Sequence, residues 1–203
     1  WHSALTPVFL DVFYREDERY KNIKTVFTIH NIEFQGRFGT DLIQDVLGLP
    51  EDKVELVLNS GYVNYMKGGI ECSNVVTTVS ETYATEIMDP FYSYGLEGIL
   101  SERSFKLHGV VNGIDTNLYD PSKDKALFVN YNKSTVADKK KENKKALCEL
   151  LNLSYDDNRP MIAMVTRLAE QKGLDLVAAV IDEIMTADVQ MVVLGTGDWK
   201  YEN

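Results

Sequence analysis

Five short apolar runs, each bounded by polar or glycine-containing turns, constrain this chain more than any other feature. They are Lys24-Thr-Val-Phe-Thr-Ile29, Asn74-Val-Val-Thr-Thr-Val79, Leu107-His-Gly-Val-Val111, Met161-Ile-Ala-Met-Val165 and Met191-Val-Val-Leu194. Runs of this length and composition read as strands. Stretches of helical period separate them. Leu5, Val8, Phe9, Val12 and Phe13 form one apolar face over residues 2–14, and Leu174–Met185 is amphipathic. Strands alternating with helices argue for an α/β chain with parallel sheets. Ser80 reads as an N-cap ahead of Glu81, starting a helix through Ile87. Pro50 is expected to open a further helical stretch through Val54, Val57, Leu58 and Met66, with Gly61 and Gly68-Gly69 counting against its continuity. A polar Asp/Pro stretch follows Asn112-Gly113, making that point the expected domain boundary. Residues 123–145 read as a solvated surface leading into a charged helix that ends near Leu151.

Charge excludes one class of partner. With 21 basic and 31 acidic residues the net charge is −10, which leaves no basic footprint for nucleic acid. No apolar run approaches the ~20 residues that span a bilayer, and a cytoplasmic location is expected. Cys72 and Cys148 form no C-x-x-C pair and read as small buried hydrophobes or free thiols in a reducing compartment. His2, His30 and His108 fall on separate elements without metal-ligand spacing. The start at Trp1-His2 has neither an initiator Met nor a signal-peptide pattern, and both ends read as cut, so an internal segment is expected.

The most informative local pattern is Thr166-Arg-Leu-Ala-Glu-Gln-Lys172-Gly173, between a strand and a helix. Ligands of open α/β sheets gather at the carboxyl ends of strands, where helix N-termini aim N–H groups at anions. Arg167 supplies a planar two-pronged donor and Lys172 a mobile point charge, a pair able to clamp a diphosphate. Solvated basic residues on a loop would carry the same spacing. Gly195-Thr-Gly-Asp198 is a weak dinucleotide signal, because Lys200 stands where the third glycine of G-x-G-x-x-G belongs.

Taken in order, Trp1-His-Ser-Ala-Leu5, His30-Asn-Ile-Glu-Phe-Gln-Gly36, Lys67-Gly-Gly-Ile70, Thr78-Val-Ser-Glu-Thr-Tyr-Ala-Thr-Glu86, Gly95-Leu-Glu-Gly98, Val111-Asn-Gly-Ile-Asp115, Arg167–Asp175 and Gly195–Asp198 resemble the bacterial glycogen synthase and plant starch synthase family. The resemblance implies the GT-B fold, two Rossmann-like domains facing each other across a cleft, both incomplete here. Residues 1–111 would be the later part of the N-terminal, acceptor-side domain, and 112–203 the first part of the nucleotide-sugar domain. It implies retaining transfer of glucose from ADP-glucose, or UDP-glucose, to an α-1,4-glucan, with no metal or other cofactor. His2 and Asn112 look like residues that bind the donor glucose, Arg167 and Lys172 like the phosphate pair, and Gly197 like a neighbour of the nucleotide base. The family's Lys-x-Gly-Gly loop would precede residue 1 and its catalytic-region glutamate would follow residue 203, so the segment alone is expected to be inactive. Aggregation is expected from uncovered apolar faces such as Leu5, Val8, Phe9 and Val12. Another GT-B glycosyltransferase, or a non-catalytic glucan-binding module on the same fold, stays open as an alternative.

Overall fold

The computed structural model describes residues 1–202, and the chain divides into two compact units, Trp1–Ile114 and the remainder from Asp115. In the first unit three parallel strands lie in the order β1 (Val26–Ile29), β5 (Val75–Thr78), β6 (Leu107–Gly109). Phe27 and Ile29 of β1 and Val76 and Thr78 of β5 point into the core. The other face carries a hydroxyl pair, Thr28 to Thr77 at 2.8 Å. A small antiparallel sheet of β2 (Arg37–Phe38), β4 (Tyr62–Asn64) and β3 (Leu58–Asn59) packs beside it.

Helix α1 (Leu5–Phe9) continues as a π-helical turn over Leu10–Tyr14 and packs on α2 (Tyr65–Cys72). Gly68 and Gly69 make that contact possible. A Cβ on Gly68 would lie 2.8 Å from Val8, and one on Gly69 3.0 Å from the Phe27 ring and 3.1 Å from Ala4. The glycine pair thus serves close packing and does not break the helix.

Two expectations need correction here. The stretch from Pro50 to Met66 is not one helix. It forms a 3₁₀ turn (Glu51–Leu56), then the β3–β4 hairpin, then α2. Ser60 and Gly61, at φ 51° and 83°, make the tight hairpin turn, a left-handed pair that suits the twist of the flanking strands. Nor are Leu5, Val8, Phe9 and Val12 uncovered. Val8 is fully buried, and the other three pack against the core, because the small α2 surface lets α1 approach. The exposed apolar helix face belongs to the second unit, where Leu176 and Val180 are open.

Ser80 caps α3 (Glu81–Glu86) by accepting from the Tyr83 N–H at 2.9 Å, and Asn64 caps α2 by accepting from Lys67 N–H at 3.0 Å. Helix α4 (Glu97–Glu102) leads through a 3₁₀ turn to β6. Lys106 then donates to the Glu71 and Ser73 carbonyls at 2.9 and 2.7 Å, closing the C-terminus of α2. Burial, reinforced by Asp11 and Glu71, pushes the Cys72 thiol up to about 12. A thiolate is therefore scarce there at neutral pH.

The second unit holds a charged helix, α5 (Val136–Leu150), and a parallel pair, β7 (Met161–Val165) and β8 (Gln190–Leu194), joined through α6 (Leu174–Thr186). A short α7 (Trp199–Glu202) follows. The polar stretch before α5 is pinned to it: Asn143 accepts from the Val129 N–H and donates to the Val129 carbonyl, at 3.2 and 2.7 Å. Among the described residues no helix is long and apolar enough to cross a membrane.

Candidate active site

In the second unit, β7 ends at Val165 and the chain crosses to α6 through Thr166–Gly173. This crossing is fastened to the segment after β8 as if the parallel ladder continued. Thr166 N–H donates to Leu194 O at 3.1 Å, Leu168 N–H to Thr196 O at 2.9 Å, and Asp198 N–H to Leu168 O at 2.7 Å. Leu168, 7% exposed, anchors the crossing in the unit's interior. Arg167 and Lys172 on either side of it are exposed. Among the described residues neither side chain has an ion pair or hydrogen bond. Gly173, at φ 68°, turns the chain into α6, whose N-terminus carries no side-chain cap. Two unpaired cations thus stand just before uncapped helix N–H groups, and all three features favour a bound anion.

Gly195 and Gly197 carry the fastening. A Cβ at Gly197 would lie 2.2 Å from the Leu168 carbonyl oxygen, and one at Gly195 1.9 Å from that of Thr166. The spacing that looked like a nucleotide fingerprint therefore has a backbone-packing role: it seats the loop bearing Arg167. The Gly197 N–H itself is taken by Glu202 Oε1 at 2.7 Å.

His2 and Asn112 lie in the first unit, which carries neither Arg167 nor Lys172. His2 stacks on Trp1 with ring centroids 3.8 Å apart and planes at 27°. It lines a cavity of about 590 Å³ with Ser3, Thr6, Thr28 and His30, a wall of imidazoles and hydroxyls beside β1. The Trp1 indole in turn covers Gly36. Asn112 is exposed beyond the carboxyl end of β6, where Val110 N–H still extends the ladder to Thr78 O at 2.8 Å. A groove of about 610 Å³ in the second unit, between the 126–128 loop, α5 and Met161, includes none of these residues.

Sequence reasoning missed a buried polar network. The Gln35 side chain, 2% exposed, accepts from Asn64 Nδ2 at 2.6 Å and from Arg37 Nε at 3.0 Å. Its amide nitrogen reaches the Ser93 and Tyr94 carbonyls at 3.4 and 3.3 Å. Ser93, fully buried, donates to Glu97 Oε2 at 2.5 Å, and that bond holds the Glu97 carboxyl below its usual range. Asn64 had a legible signal as a cap residue ahead of α2, but nothing local marks Gln35 as its partner. Asn64→Ala removes both the cap and a buried hydrogen bond, so a loss of about 1–3 kcal/mol is expected. Urea denaturation of this chain measures it, and an unchanged midpoint would contradict the network.

The profile of the starch synthase catalytic domain matches residues 1–102. The chain belongs to that family. It is 49% identical to a glycogen synthase of Alkaliphilus metalliredigens and 47% identical to one of Clostridium acetobutylicum, aligning over 100% of its own length. It spans 43% of each of those relatives. Among solved structures it is similar to the catalytic domain of starch synthase IV from Arabidopsis thaliana bound to ADP and acarbose. That match has a TM-score of 0.87 at 33% identity and covers 98% of this chain and 41% of that one. The fold is thus the α/β, GT-B type of the starch synthases. The relatives are glucan synthases along every part of the chain, which fits the ordered run of motifs from Trp1 to Asp198.

Proposed function

We propose that this chain supplies part of the active site of a glycogen or starch synthase, which transfers glucose from ADP-glucose to the non-reducing end of an α-1,4-glucan. The observation that carries the reading is the pair of unpaired cations, Arg167 and Lys172, on a crossing loop fastened by Gly195 and Gly197. The ADP-bound starch synthase supports ADP-glucose over UDP-glucose. In this reading residues 1–111 serve the acceptor side and 112–203 begin the nucleotide-sugar side. His2 and Asn112 contact the donor glucose, and Gly197 lies near the base.

The chemistry follows from where charge develops. The bond from glucose C1 to the diphosphate oxygen breaks, and a bond from C1 to the acceptor O4 forms on the same face. The acceptor proton passes to an oxygen of the departing diphosphate. Arg167 and Lys172 stabilise the negative charge gathering on that leaving group, and fixed cations placed where charge appears lower the barrier most. The whole protein is tested by following labelled glucose from ADP-glucose into glycogen, with UDP-glucose as the rival donor. Transfer from ADP-glucose is expected. Transfer from UDP-glucose alone would overturn the donor assignment, and transfer from neither would overturn the function.

A second expectation follows from assigning charge stabilisation to side chains. The rate should be unchanged when a chelator strips divalent cations from the assay. A rate that collapses with chelator and returns on adding Mg²⁺ would show that a metal shares the phosphate with Arg167 and Lys172.

A further inference from the structure

The segment that follows β6 is held at both ends and free in the middle. Val110 N–H donates to Thr78 O at 2.8 Å, and Asp115 Oδ1 accepts from the Asn117 and Leu118 N–H groups at 2.9 and 3.0 Å. Between these points Val111, Asn112, Gly113 and Ile114 are all exposed and belong to no helix or strand. Among the described residues neither the Asn112 amide nor the Gly113 N–H makes a hydrogen bond, and a Cβ on Gly113 would meet nothing within 4 Å. Asn-Gly occurs only here in the sequence. An asparagine side-chain carbonyl can meet the peptide nitrogen of the next residue when the backbone is free to turn, and a following glycine obstructs that turn least. Asn59-Ser60, in the β3–β4 hairpin, shows the contrast. Asn59 Nδ2 donates to the Tyr62 hydroxyl and to Gly95 O, both at 3.3 Å, and the next residue carries a side chain.

We propose that Asn112-Gly113 is a self-modification site, at which Asn112 loses ammonia and becomes an aspartyl or isoaspartyl residue. The Gly113 nitrogen forms a bond to Asn112 Cγ, and the Cγ–Nδ2 bond breaks. The proton of the Gly113 nitrogen ends, by way of solvent, on the departing nitrogen, which leaves as ammonia. A five-membered imide remains. Water then adds to one of its two carbonyl carbons and opens the ring. Cleavage at Cγ gives aspartate, and cleavage at the main-chain carbonyl gives isoaspartate, whose backbone runs through Cβ. Water is the one reagent consumed, and no oxidant or reductant is needed. Either product adds a negative charge to a chain already at −10. The consequence for catalysis rests on the donor-glucose role proposed for Asn112. A neutral amide can donate to a sugar hydroxyl and an ionised carboxylate only accepts, and its charge repels a diphosphate.

The test is incubation of the 203-residue chain at physiological temperature and mildly alkaline pH, then cleavage after lysine and mass spectrometry of the peptide 107–123. The same peptide holds Asn117, an internal control followed by leucine. The expected result is the mass gain of an amide turned into an acid, placed at residue 112 by fragmentation and growing with time. The product should split into two isomers on chromatography, while Asn117 and Asn59 stay unchanged. Gly113→Ala should slow the reaction roughly 10-fold, because a Cβ narrows the backbone angles that ring closure needs. Circular dichroism should show that variant folded, since its Cβ touches nothing. Modification at 112 no faster than at Asn117, or at the same rate in Gly113→Ala, overturns the proposal. In a full-length synthase carrying this segment, turnover should fall in proportion to the modified fraction. Undiminished turnover would remove Asn112 from the donor site, and it would do so without altering the mass readout, so the two readings fail separately.

Discussion

Replacing Arg167 or Lys172 with alanine in a full-length synthase carrying this segment is expected to lower turnover by roughly 10²–10³, with little change in glucan affinity. Both side chains are exposed and, among the described residues, neither makes an ion pair or hydrogen bond, so neither substitution removes a contact seen there. Their cost should fall on the ligand step alone. Arg167→Lys should recover only part of the loss, because an ammonium cannot offer two parallel N–H groups to a phosphate. Kinetics at saturating donor, with melting temperature measured in parallel, checks this. Near-normal turnover in both alanine variants would remove these residues from the phosphate site and leave them as solvated loop cations.

Gly197→Ala should strongly destabilise the second unit. Its Cβ would stand 2.2 Å from the Leu168 oxygen, 2.6 Å from the carbonyl carbon and 2.8 Å from the nitrogen. These are backbone atoms, so no rotamer change relieves the clash. Separating the two segments breaks the hydrogen bonds of Leu168 with Thr196 and Asp198, at 2.9 and 2.7 Å. Overpacking plus two lost bonds implies on the order of 2–4 kcal/mol. The Arg167 loop should shift with it, raising the KM for donor in the full-length enzyme. Gly113→Ala is the control, since a Cβ there meets nothing within 4 Å. A urea midpoint for Gly197→Ala equal to that of the control would show that the two loops are not fastened as described.

Arg167 and Lys172 were legible as a charge pattern at a strand end, because their chemistry is carried by residue type and local position. Gly197 was legible only as half of an imperfect nucleotide motif. Its packing against Leu168 joins segments about 30 residues apart, and no local pattern records such a contact. His2 and Asn112 could be named through the resemblance, but the cavity beside His2 and its stacking on Trp1 are products of the folded first unit.

The sequence by itself determined the α/β class, most strands and the cap at Ser80, because backbone propensity and hydrophobic period act within a few residues. It also carried the family, through an ordered series of motifs. Tertiary structure decided what those motifs do. Gly68-Gly69 looked like a helix breaker and proved to be the contact that admits Val8 and Phe27, since tertiary packing outweighs the roughly 1 kcal/mol a glycine costs a helix. The hairpin inside the Pro50–Met66 stretch replaced an expected helix because Ser60 and Gly61 take left-handed backbone angles and β4 finds partners in both β2 and β3. Gln35 became the hub joining Asn64, Arg37 and the Ser93–Tyr94 turn only once residues up to 59 apart were brought together. A buried side-chain amide must be satisfied wherever its partners lie, and the chain's linear order does not say where that is.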